Sequence, residues 1–267
     1  YGRKIKKKYI MKNLLFILSI FISFVLSAQN EYVHQVLILN EGCYDYSTQE
    51  ILDPVTVGVY DPVENTYTSI FEVDGARFSS DLILGDDCFY IAADNQILKY
   101  DLNTYELLST VDCPGVRKLA IYNEYLIVSR GDYDPITSGP VLFDSYLHFY
   151  LKDNLSFSFS FDTENGPAWS TESLLVLEDK LYIAINNAYE WGNYKGLVGV
   201  VDLYTMNYMI ELDLGENGNN PIAMHLKDNT IYTVNNKNWD GSSVSLLNTL
   251  ELESTPQTID LSDVSAG

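Results

Sequence analysis

Short apolar runs that end in polar residues recur along the chain. They occupy residues 36–40, 90–94, 126–130, 182–186 and 232–236, and their first residues are 54, 36, 56 and 50 positions apart. A loop and a second apolar run follow each of them, and the second run is strongest at 57–61, 97–101 and 198–202. Runs of this length, rich in Val, Ile and Tyr and bounded by polar turns, predict β-strands.

Three of the second runs end in aspartate, at Asp61, Asp101 and Asp202, and a turn containing Thr follows each one. An aspartate at this position accepts hydrogen bonds from backbone N–H groups two or three residues further on, and so predicts a tight hairpin. A third run follows the turn, at 67–73, 105–111 and 208–214. A fourth precedes the next unit, at 81–84, 116–122, 173–177 and 221–226.

These runs predict an all-β protein made of repeats with four strands each. One four-stranded sheet cannot bury both of its faces, whereas sheets packed radially about an axis do, so the pattern favours a β-propeller of four-stranded blades. About five blades are visible, and the first lacks its innermost strand. Two alternatives are a pair of β-sandwiches and a β-solenoid. The repeat is too long for a solenoid rung, and a sandwich does not explain why the Asp-turn-Thr feature returns in register.

The N-terminal segment has the pattern of an export signal. Residues 1–10 are basic and precede Met11, so we interpret them as an upstream extension. Residues 11–28 predict a signal peptide, with Lys12 before an apolar run at 14–26 and small residues at Ser27 and Ala28. The apolar run is short of the roughly 20 residues that span a bilayer; an uncleaved membrane anchor is the alternative. Residues 29–267 then form the propeller domain, with an extracytoplasmic location in the periplasm, at the cell surface or secreted.

Charge excludes one class of partner. Residues 29–267 carry 10 basic and 37 acidic side chains, a formal charge of −27. Such a chain repels nucleic acid and anionic lipid, so we expect no nucleic-acid partner and no membrane insertion after signal cleavage. Cys43, Cys88 and Cys113 are an odd number for an oxidising compartment. A pairing of Cys43 with Cys113 and a role as small buried hydrophobes are both open.

No catalytic motif is recognisable. The three histidines lack metal-binding spacing, and nucleophile-elbow, phosphate-loop and dinucleotide motifs are absent. Asp132 and Asp134 offer two carboxylates near Pro135, which favours a solvated turn over a loose Ca²⁺ site. The sequence therefore predicts a protein that is not an enzyme and has no cofactor or metal.

A ligand is expected at one rim of the propeller, because every blade contributes loops to the same face. The loops after the second strands and those before the innermost strands share that face. Tryptophan beside Asn and Arg stacks on a sugar ring or anchors a peptide, although packing between blades is the favoured role of each tryptophan. For Arg77 and Arg117, pairing with a carboxylate is favoured over binding an anion. The candidate ligand-binding residues are Arg77, Arg117, Arg130, Trp169, Asn186, Trp191, Asn236 and Trp239.

The motifs LILNEG at 37–42, YDLNT at 100–104 and LYIA at 181–184 carry a family resemblance. With them the chain resembles the YncE-like or YVTN-repeat β-propellers, especially surface proteins of Bacteroidetes-type bacteria. The resemblance implies a fold of the quinoprotein amine dehydrogenase-like kind, commonly with seven blades. The chain ends just after a strand-like run at 258–261, so we expect a C-terminally incomplete propeller of six or seven blades.

The function predicted from these features is a secreted or surface-exposed module that binds or scaffolds a protein or glycan partner. One alternative is an enzyme of the propeller lyase or hydrolase kind, with carboxylates at the mouth of the channel. Another is a purely structural surface protein.

Overall fold

The computed structural model describes residues 35–237 and 241–261. The predicted upstream extension and signal peptide, and Trp239, lie outside these residues. Almost all of the described elements are strands, with a short 3-10 helix at Glu216–Gly218. The strands are β1 (Val36–Asn40), β2 (Cys43–Asp45), β3 (Glu50–Asp53), β4 (Thr56–Asp61), β5 (Thr66–Glu72), β6 (Ser79–Leu84), β7 (Cys88–Ala93), β8 (Gln96–Asp101), β9 (Leu107–Asp112), β10 (Val116–Tyr122), β11 (Tyr125–Arg130), β12 (Tyr133–Asp134), β13 (Gly139–Pro140), β14 (Leu147–Leu151), β15 (Phe157–Phe161), β16 (Thr171–Leu177), β17 (Lys180–Ile185), β18 (Leu197–Asp202), β19 (Asn207–Asp213), β20 (Pro221–Lys227), β21 (Thr230–Asn235), β22 (Ser242–Asn248) and β23 (Gln257–Leu261).

The strands form antiparallel sheets in chain order, which confirms the predicted four-stranded repeat. Within residues 35–237 and 241–261, sheet I has three strands in the order β1-β4-β5. The four-stranded sheets are sheet II (β6-β7-β8-β9), sheet III (β10-β11-β14-β15), sheet IV (β16-β17-β18-β19) and sheet V (β20-β21-β22-β23). Two hairpins, β2-β3 and β12-β13, lie in segments that the sequence predicted as loops.

The described residues form two compact units, one of residues 35–38 and 59–68 and the other of the remaining described residues. In the first unit, the Asp61 carboxylate accepts backbone hydrogen bonds from Val63 and Glu64, at 2.8 and 3.0 Å. The Tyr60 hydroxyl donates to the Asn65 side chain at 2.8 Å and holds the other side of the turn. The second unit contains sheets II to V.

The aspartate turns of the second unit have the predicted geometry. The Asp101 carboxylate accepts hydrogen bonds from the N–H groups of Asn103 and Thr104, both at 2.8 Å. The Asp202 carboxylate accepts one from the N–H of Thr205 at 2.8 Å. These bonds favour the ionised form and lower the pKa of both carboxyl groups. An aspartate at the end of a strand therefore specifies the hairpin that follows it.

The core of the second unit consists of apolar layers between consecutive sheets. One layer joins sheets II and III, with Tyr90 and Leu126 among its buried residues. A second joins sheets III and IV around Phe149 and Ile183. A third joins sheets IV and V and includes Val200. In sheets II, III and IV the second strand is buried on both faces. Every residue of β7 is buried, and so is every residue but the first of β11 and of β17. This burial explains the continuous apolar sequence of these strands.

The first strands of sheets II to V lie side by side and are joined by polar contacts. Strand β10 contacts β6 and β16, and β16 contacts β20. The Leu119 N–H donates to the Asp81 carboxylate at 2.8 Å, and the Met224 N–H donates to the Ser173 hydroxyl at 3.1 Å. Burial raises the pKa of Asp81 although the Leu119 N–H opposes this shift. These strands are the innermost ones that the repeat predicted.

The cysteines are free thiols, so the hypothesis of a Cys43–Cys113 disulfide is wrong. Cys43 is exposed, whereas Cys113 lies fully buried in the layer between sheets II and III. Cys88 is buried in the same layer. The alternative role as a small buried hydrophobe therefore holds for Cys88 and Cys113 but not for Cys43.

The carboxylates of Asp132 and Asp134 bind groups of the β12-β13 hairpin itself. The Asp134 carboxylate accepts hydrogen bonds from the Ile136 N–H at 2.8 Å and the Thr137 hydroxyl at 2.9 Å. The Asp132 carboxylate accepts one from the Tyr133 N–H at 2.8 Å. Within residues 35–237 and 241–261, no three His, Cys, Asp or Glu side chains are grouped as for a metal ion. The same residues include no helix with the length and apolar character needed to span a membrane.

Candidate functional site

A repeated backbone hydrogen bond brings two loops together at one end of sheets II to V. It joins the residue that follows the second strand to the residue 16 positions earlier, just before the innermost strand. The loops after the second strands and before the innermost strands therefore lie together in each sheet, as predicted. The four bonds run from the N–H of Asp94 to Phe78 O, Gly131 to Gly115 O, Asn186 to Ser170 O, and Asn236 to Asn220 O, at 2.8 to 3.1 Å.

A cavity of about 290 Å³ lies among these loops in sheets III, IV and V. We call it the Asn220 cavity. Its lining combines an ion pair, three amides, two phenols and two small apolar groups. The lining residues are Arg117, Glu172, Asn186, Ala188, Tyr189, Tyr194, Asn220, Ile222 and Asn236.

Arg117 on β10 and Glu172 on β16 form a two-pronged ion pair in the wall of the cavity. Arg117 Nε lies 3.0 Å from one carboxylate oxygen of Glu172, and Arg117 Nη2 lies 3.3 Å from the other. Their side chains are 25% and 8% exposed. Burial opposes the charged form of Arg117, but the Glu172 carboxylate and the Tyr189 ring, 5.8 Å from the guanidinium carbon, outweigh burial and raise the pKa. The pair leaves the wall without net charge.

Tyr189 lies between this ion pair and the backbone of sheet III. A Cβ added at Gly131 would lie 2.9 Å from Tyr189 Cε2 and 2.7 Å from Ser170 Cβ, so the ring packs where only glycine leaves room. Burial raises the pKa of the Tyr189 phenol above its ordinary value. Tyr189 therefore faces the cavity as a neutral hydroxyl and an aromatic ring.

Two of the three amides of the cavity, Asn186 and Asn220, are strongly buried. Asn186 is 2% exposed, and its Oδ1 accepts a hydrogen bond from the Ala188 N–H at 3.2 Å. Asn220 is 6% exposed, adopts a left-handed backbone (φ 58°) and donates from Nδ2 to Asn236 Oδ1 at 2.6 Å. No donor in the described part of the chain reaches the Asn220 Oδ1. Asn220 is therefore a lining residue of the cavity whose Oδ1 is a buried acceptor without a partner among the described residues.

Residues 187–195, which we call the Trp191 arm, leave the end of β17 beside the cavity. The Asn187 side chain donates to Glu190 Oε2 at 2.8 Å and to the Asn193 carbonyl at 2.9 Å. The Asn193 amide donates to the same carboxylate oxygen at 2.8 Å, and these amides lower the pKa of Glu190. Trp191 is 82% exposed, and its ring meets that of Tyr194 edge to face at 6.0 Å between centroids. The arm is a closed, hydrogen-bonded loop that presents an exposed tryptophan.

The cavity brings together three of the predicted site residues, namely Arg117, Asn186 and Asn236. Arg130 does not line the cavity, and its buried side chain binds other groups, so its ligand contact stays a prediction. Its guanidinium donates to the carbonyls of Pro114 at 3.0 Å and Ser145 at 2.8 Å and lies 2.8 Å from His148 Nε2. Arg130 thus joins loops within sheet III.

The remaining predicted residues lie outside the cavity. Arg77 pairs with Asp94 through two contacts, 2.5 and 2.9 Å, so carboxylate pairing is confirmed for Arg77 as well as Arg117. Trp169 is half-buried against the layer between sheets III and IV, with Lys195 Nζ 4.4 Å from its ring centroid. For Trp191 the favoured role in packing is wrong, because the side chain is exposed. Trp239 lies outside the described residues.

Glu172, Tyr189 and Tyr194 are absent from the sequence prediction. A signal for Glu172 does exist in the repeat. The spacing of 16 residues places Ser170 beside Asn186, so positions 170–172 must lie next to the start of the Trp191 arm. No comparable signal marks the two tyrosines, since the chain has 21 tyrosines and most strands contain one.

Comparison with known proteins identifies the fold. No family model and no curated protein matches the chain. The solved β-propeller BamB from Moraxella catarrhalis is similar to it, with a TM-score of 0.53 and 13% identity over 84% of this chain and 66% of BamB. This chain is a β-propeller. Its sheets are therefore called blades below.

The computationally designed Ika8 protein is also similar, with a TM-score of 0.52 and 14% identity over 80% of this chain and 57% of Ika8. The chain spans less than two thirds of either structure. At these identities the likeness establishes the fold and leaves function to the side chains of the site.

Proposed function

We propose that this chain is a non-catalytic, extracytoplasmic binding module whose ligand occupies the Asn220 cavity. The observation that carries the proposal is the buried Asn220 Oδ1, which has no donor within the described residues. A buried acceptor without a partner costs about 1–3 kcal/mol, and a ligand that donates to it recovers that free energy. The cavity already has the concave shape and the few convergent polar groups of a ligand site.

The state of the ionisable groups supports binding over catalysis. Glu172 is the carboxylate in the cavity lining, and Arg117 holds both of its oxygens. Tyr189 has a raised pKa and keeps its proton at neutral pH. A general base must be free to take a proton near the operating pH. We infer that the cavity recognises a ligand and does not transform it.

The partner and the location follow from the same features. Exposed loops that carry Trp191 suit a protein or a glycan, and the strongly acidic composition disfavours nucleic acid and anionic membranes. The export signal predicted at residues 11–28 supports an extracytoplasmic location. The Asp-turn-Thr repeats, whose hydrogen bonds are present at Asp101 and Asp202, support membership of the YncE-like or YVTN-repeat propellers.

Ligand-detected saturation-transfer NMR on the purified protein tests the proposal, with a library of small glycans and peptides. Asn220→Gly removes the cavity acceptor and keeps the left-handed backbone, which glycine adopts readily. Asn123→Gly is the matched control, because Asn123 is also left-handed (φ 50°) and is exposed at a turn on the opposite end of blade III. We expect Asn220→Gly to weaken binding about tenfold, equivalent to about 1.4 kcal/mol, and Asn123→Gly to leave binding unchanged.

Two results contradict the proposal. If ligands bind equally well to the wild-type protein and to Asn220→Gly, the site lies elsewhere on the propeller. If the protein converts a bound ligand into a product, and Glu172→Gln abolishes that turnover, the chain is an enzyme.

A further inference from the structure

We propose that the ligand of the Asn220 cavity is an uncharged carbohydrate chain, with one sugar unit in the cavity and the next units against the Trp191 arm. This inference rests on the proposed function and specifies the ligand class. It follows from the charge of the cavity, from its hydrogen-bonding groups and from the arm beside it.

The electrostatics of the cavity favour a neutral ligand. The lining contains one cation and one anion, Arg117 and Glu172, and they neutralise each other through two contacts of 3.0 and 3.3 Å. A charged ligand would have to separate this pair, at the cost of leaving one partner buried and uncompensated. The other lining side chains are amides, phenols and aliphatic groups. A neutral ligand makes its contacts without disturbing the pair.

The hydrogen-bonding groups favour a ligand rich in hydroxyls. Asn220 Oδ1 requires a donor within a site where Asn186 and Asn236 present further amide groups. A sugar hydroxyl donates one hydrogen bond and accepts others, so a hydroxyl on the ring donates to the orphan acceptor of Asn220. Ala188 and Ile222 provide apolar surface for the C–H groups of the same ring. The lining therefore matches the mixed polar and apolar surface of a sugar.

The size of the cavity and the position of the arm set the length of the ligand. A volume of about 290 Å³ is at the lower limit of typical small-molecule sites, so it holds about one ring. Tyr194 lines the cavity and also contacts Trp191, which makes a continuous aromatic path from the cavity to solvent. Units beyond the first then lie against the exposed face of Trp191.

The Trp191 arm is preorganised for this role. Asn187, Glu190 and Asn193 are linked by side-chain hydrogen bonds of 2.8 to 2.9 Å. The arm also closes by a backbone bond from the Lys195 N–H to Asn186 O at 2.8 Å. Little conformational entropy is lost when a rigid loop binds, and a rigid aromatic side chain contributes contact area at low entropic cost. An 82% exposed tryptophan on such a loop has the properties of a binding hot spot.

Isothermal titration calorimetry on the intact protein tests the inference. The probes are neutral pentasaccharides of glucose, xylose and mannose, their monosaccharides, and a lysine-rich pentapeptide. Each titration is made at about 10 mM and about 1 M salt, between which the Debye length falls from about 30 Å to about 3 Å. We expect at least one neutral pentasaccharide to bind, with an affinity that changes less than about twofold between the two salt concentrations.

Two substitutions then locate the sugar units. Trp191→Ala is expected to weaken the pentasaccharide about tenfold or more and to change binding of the monosaccharide less than about twofold. Tyr204→Ala is the matched control, because Tyr204 has the same 82% exposure at the opposite end of blade IV; it should leave both affinities unchanged.

The outcomes separate the two proposals. If only the peptide binds, its affinity falls with salt and Asn220→Gly abolishes that binding, then the carbohydrate inference is wrong and the proposed binding function still holds. Pentasaccharide binding that is unaffected by Trp191→Ala would overturn the role of the arm. If no probe and no member of the NMR library binds, both proposals fail.

Discussion

Removing one partner of the Arg117–Glu172 pair should destabilise the propeller strongly, whereas removing both should cost little more. In Glu172→Gln the Arg117 guanidinium loses its counter-charge while its side chain remains only 25% exposed. Two unit charges about 3 Å apart attract by about 5 kcal/mol at an effective dielectric constant of about 20. Removing one partner of a buried pair typically costs about 3–5 kcal/mol. Because water still reaches Arg117, we expect about 3 kcal/mol, a fall in Tm of about 6–12 °C.

A double-mutant cycle with Arg117→Met separates the pair from general damage to the fold. Arg117→Met leaves Glu172 uncompensated at 8% exposure, so its cost should also be about 3 kcal/mol. The double variant has no unpaired charge and should cost about 3 kcal/mol in total, which gives a coupling energy of about 3 kcal/mol. Urea unfolding followed by circular dichroism measures each free energy of unfolding.

The Arg77–Asp94 pair is the matched control for this cycle. It has the same two-pronged geometry, but its side chains are 32% and 17% exposed, so solvent screening is stronger. Its cycle should give about 1 kcal/mol of coupling. The reasoning is refuted if the Arg117 and Glu172 substitutions are additive to within about 0.5 kcal/mol, because the pair would then contribute no more than two unrelated surface groups.

Two further perturbations test other parts of the structure. Burial, together with the nearby Arg130 charge, lowers the pKa of His148 to about 4, below its value in an unfolded chain. The free energy of unfolding should therefore fall as the pH drops from about 6.5 towards 4, by about 2 kcal/mol after allowance for solvent screening. In His148→Asn the urea midpoint should lack the part of the pH dependence that comes from His148. Gly131→Ala should displace the Tyr189 ring and weaken the affinity of cavity ligands about tenfold in calorimetry. Gly139→Ala is the control, because a Cβ there meets no atom within 4 Å, and it should leave the affinity unchanged. Equal affinities for the two variants would show that the ring position is unimportant.

The strands of the blades were predictable because a local signal specifies them. Strand β17 is apolar from Leu181 to Ile185, since Ile183 packs in the layer with blade III and Tyr182 in the layer with blade V. All six residues of β7 are likewise buried. The turn after β8 or β18 is marked by an aspartate whose carboxylate binds the following N–H groups. Because both signals recur in register, they predicted the four-stranded repeat.

The β2-β3 and β12-β13 hairpins lacked such a signal. Each is short, with little apolar alternation, and is held by its own turn. Asp45 and Asp134 cap these turns through hydrogen bonds to residues two or three positions on. An isolated aspartate is common in so acidic a chain, so the cap alone did not distinguish a hairpin from a loop.

The side-chain positions at the rim depend on tertiary contacts that the sequence pattern does not predict. Arg130 is the last residue of β11, next to the rim, yet its side chain turns inward to the Pro114 and Ser145 carbonyls. Trp191 is exposed because the arm is closed by its own polar side chains, which leaves the tryptophan no core to enter. Spacing thus predicted which loops meet, while the direction of each side chain was decided by local partners, which are carbonyls for Arg130 and carboxylates for Arg77 and Arg117.

The repeated backbone bond at the rim explains why the site lies where it does. The same bond is made in blades II to V, so the scaffold offers equivalent positions in each blade and the side chains decide their use. In blade II the bond starts at Asp94, whose carboxylate is taken by Arg77. In blade III it joins two glycines and contributes no side chain. In blades IV and V it starts from asparagines, and there Asn220 keeps an acceptor without a partner. The cavity thus lies in the blades where asparagine takes the position that Asp94 has in blade II, and the amide of Asn220 keeps a hydrogen-bonding group for a ligand.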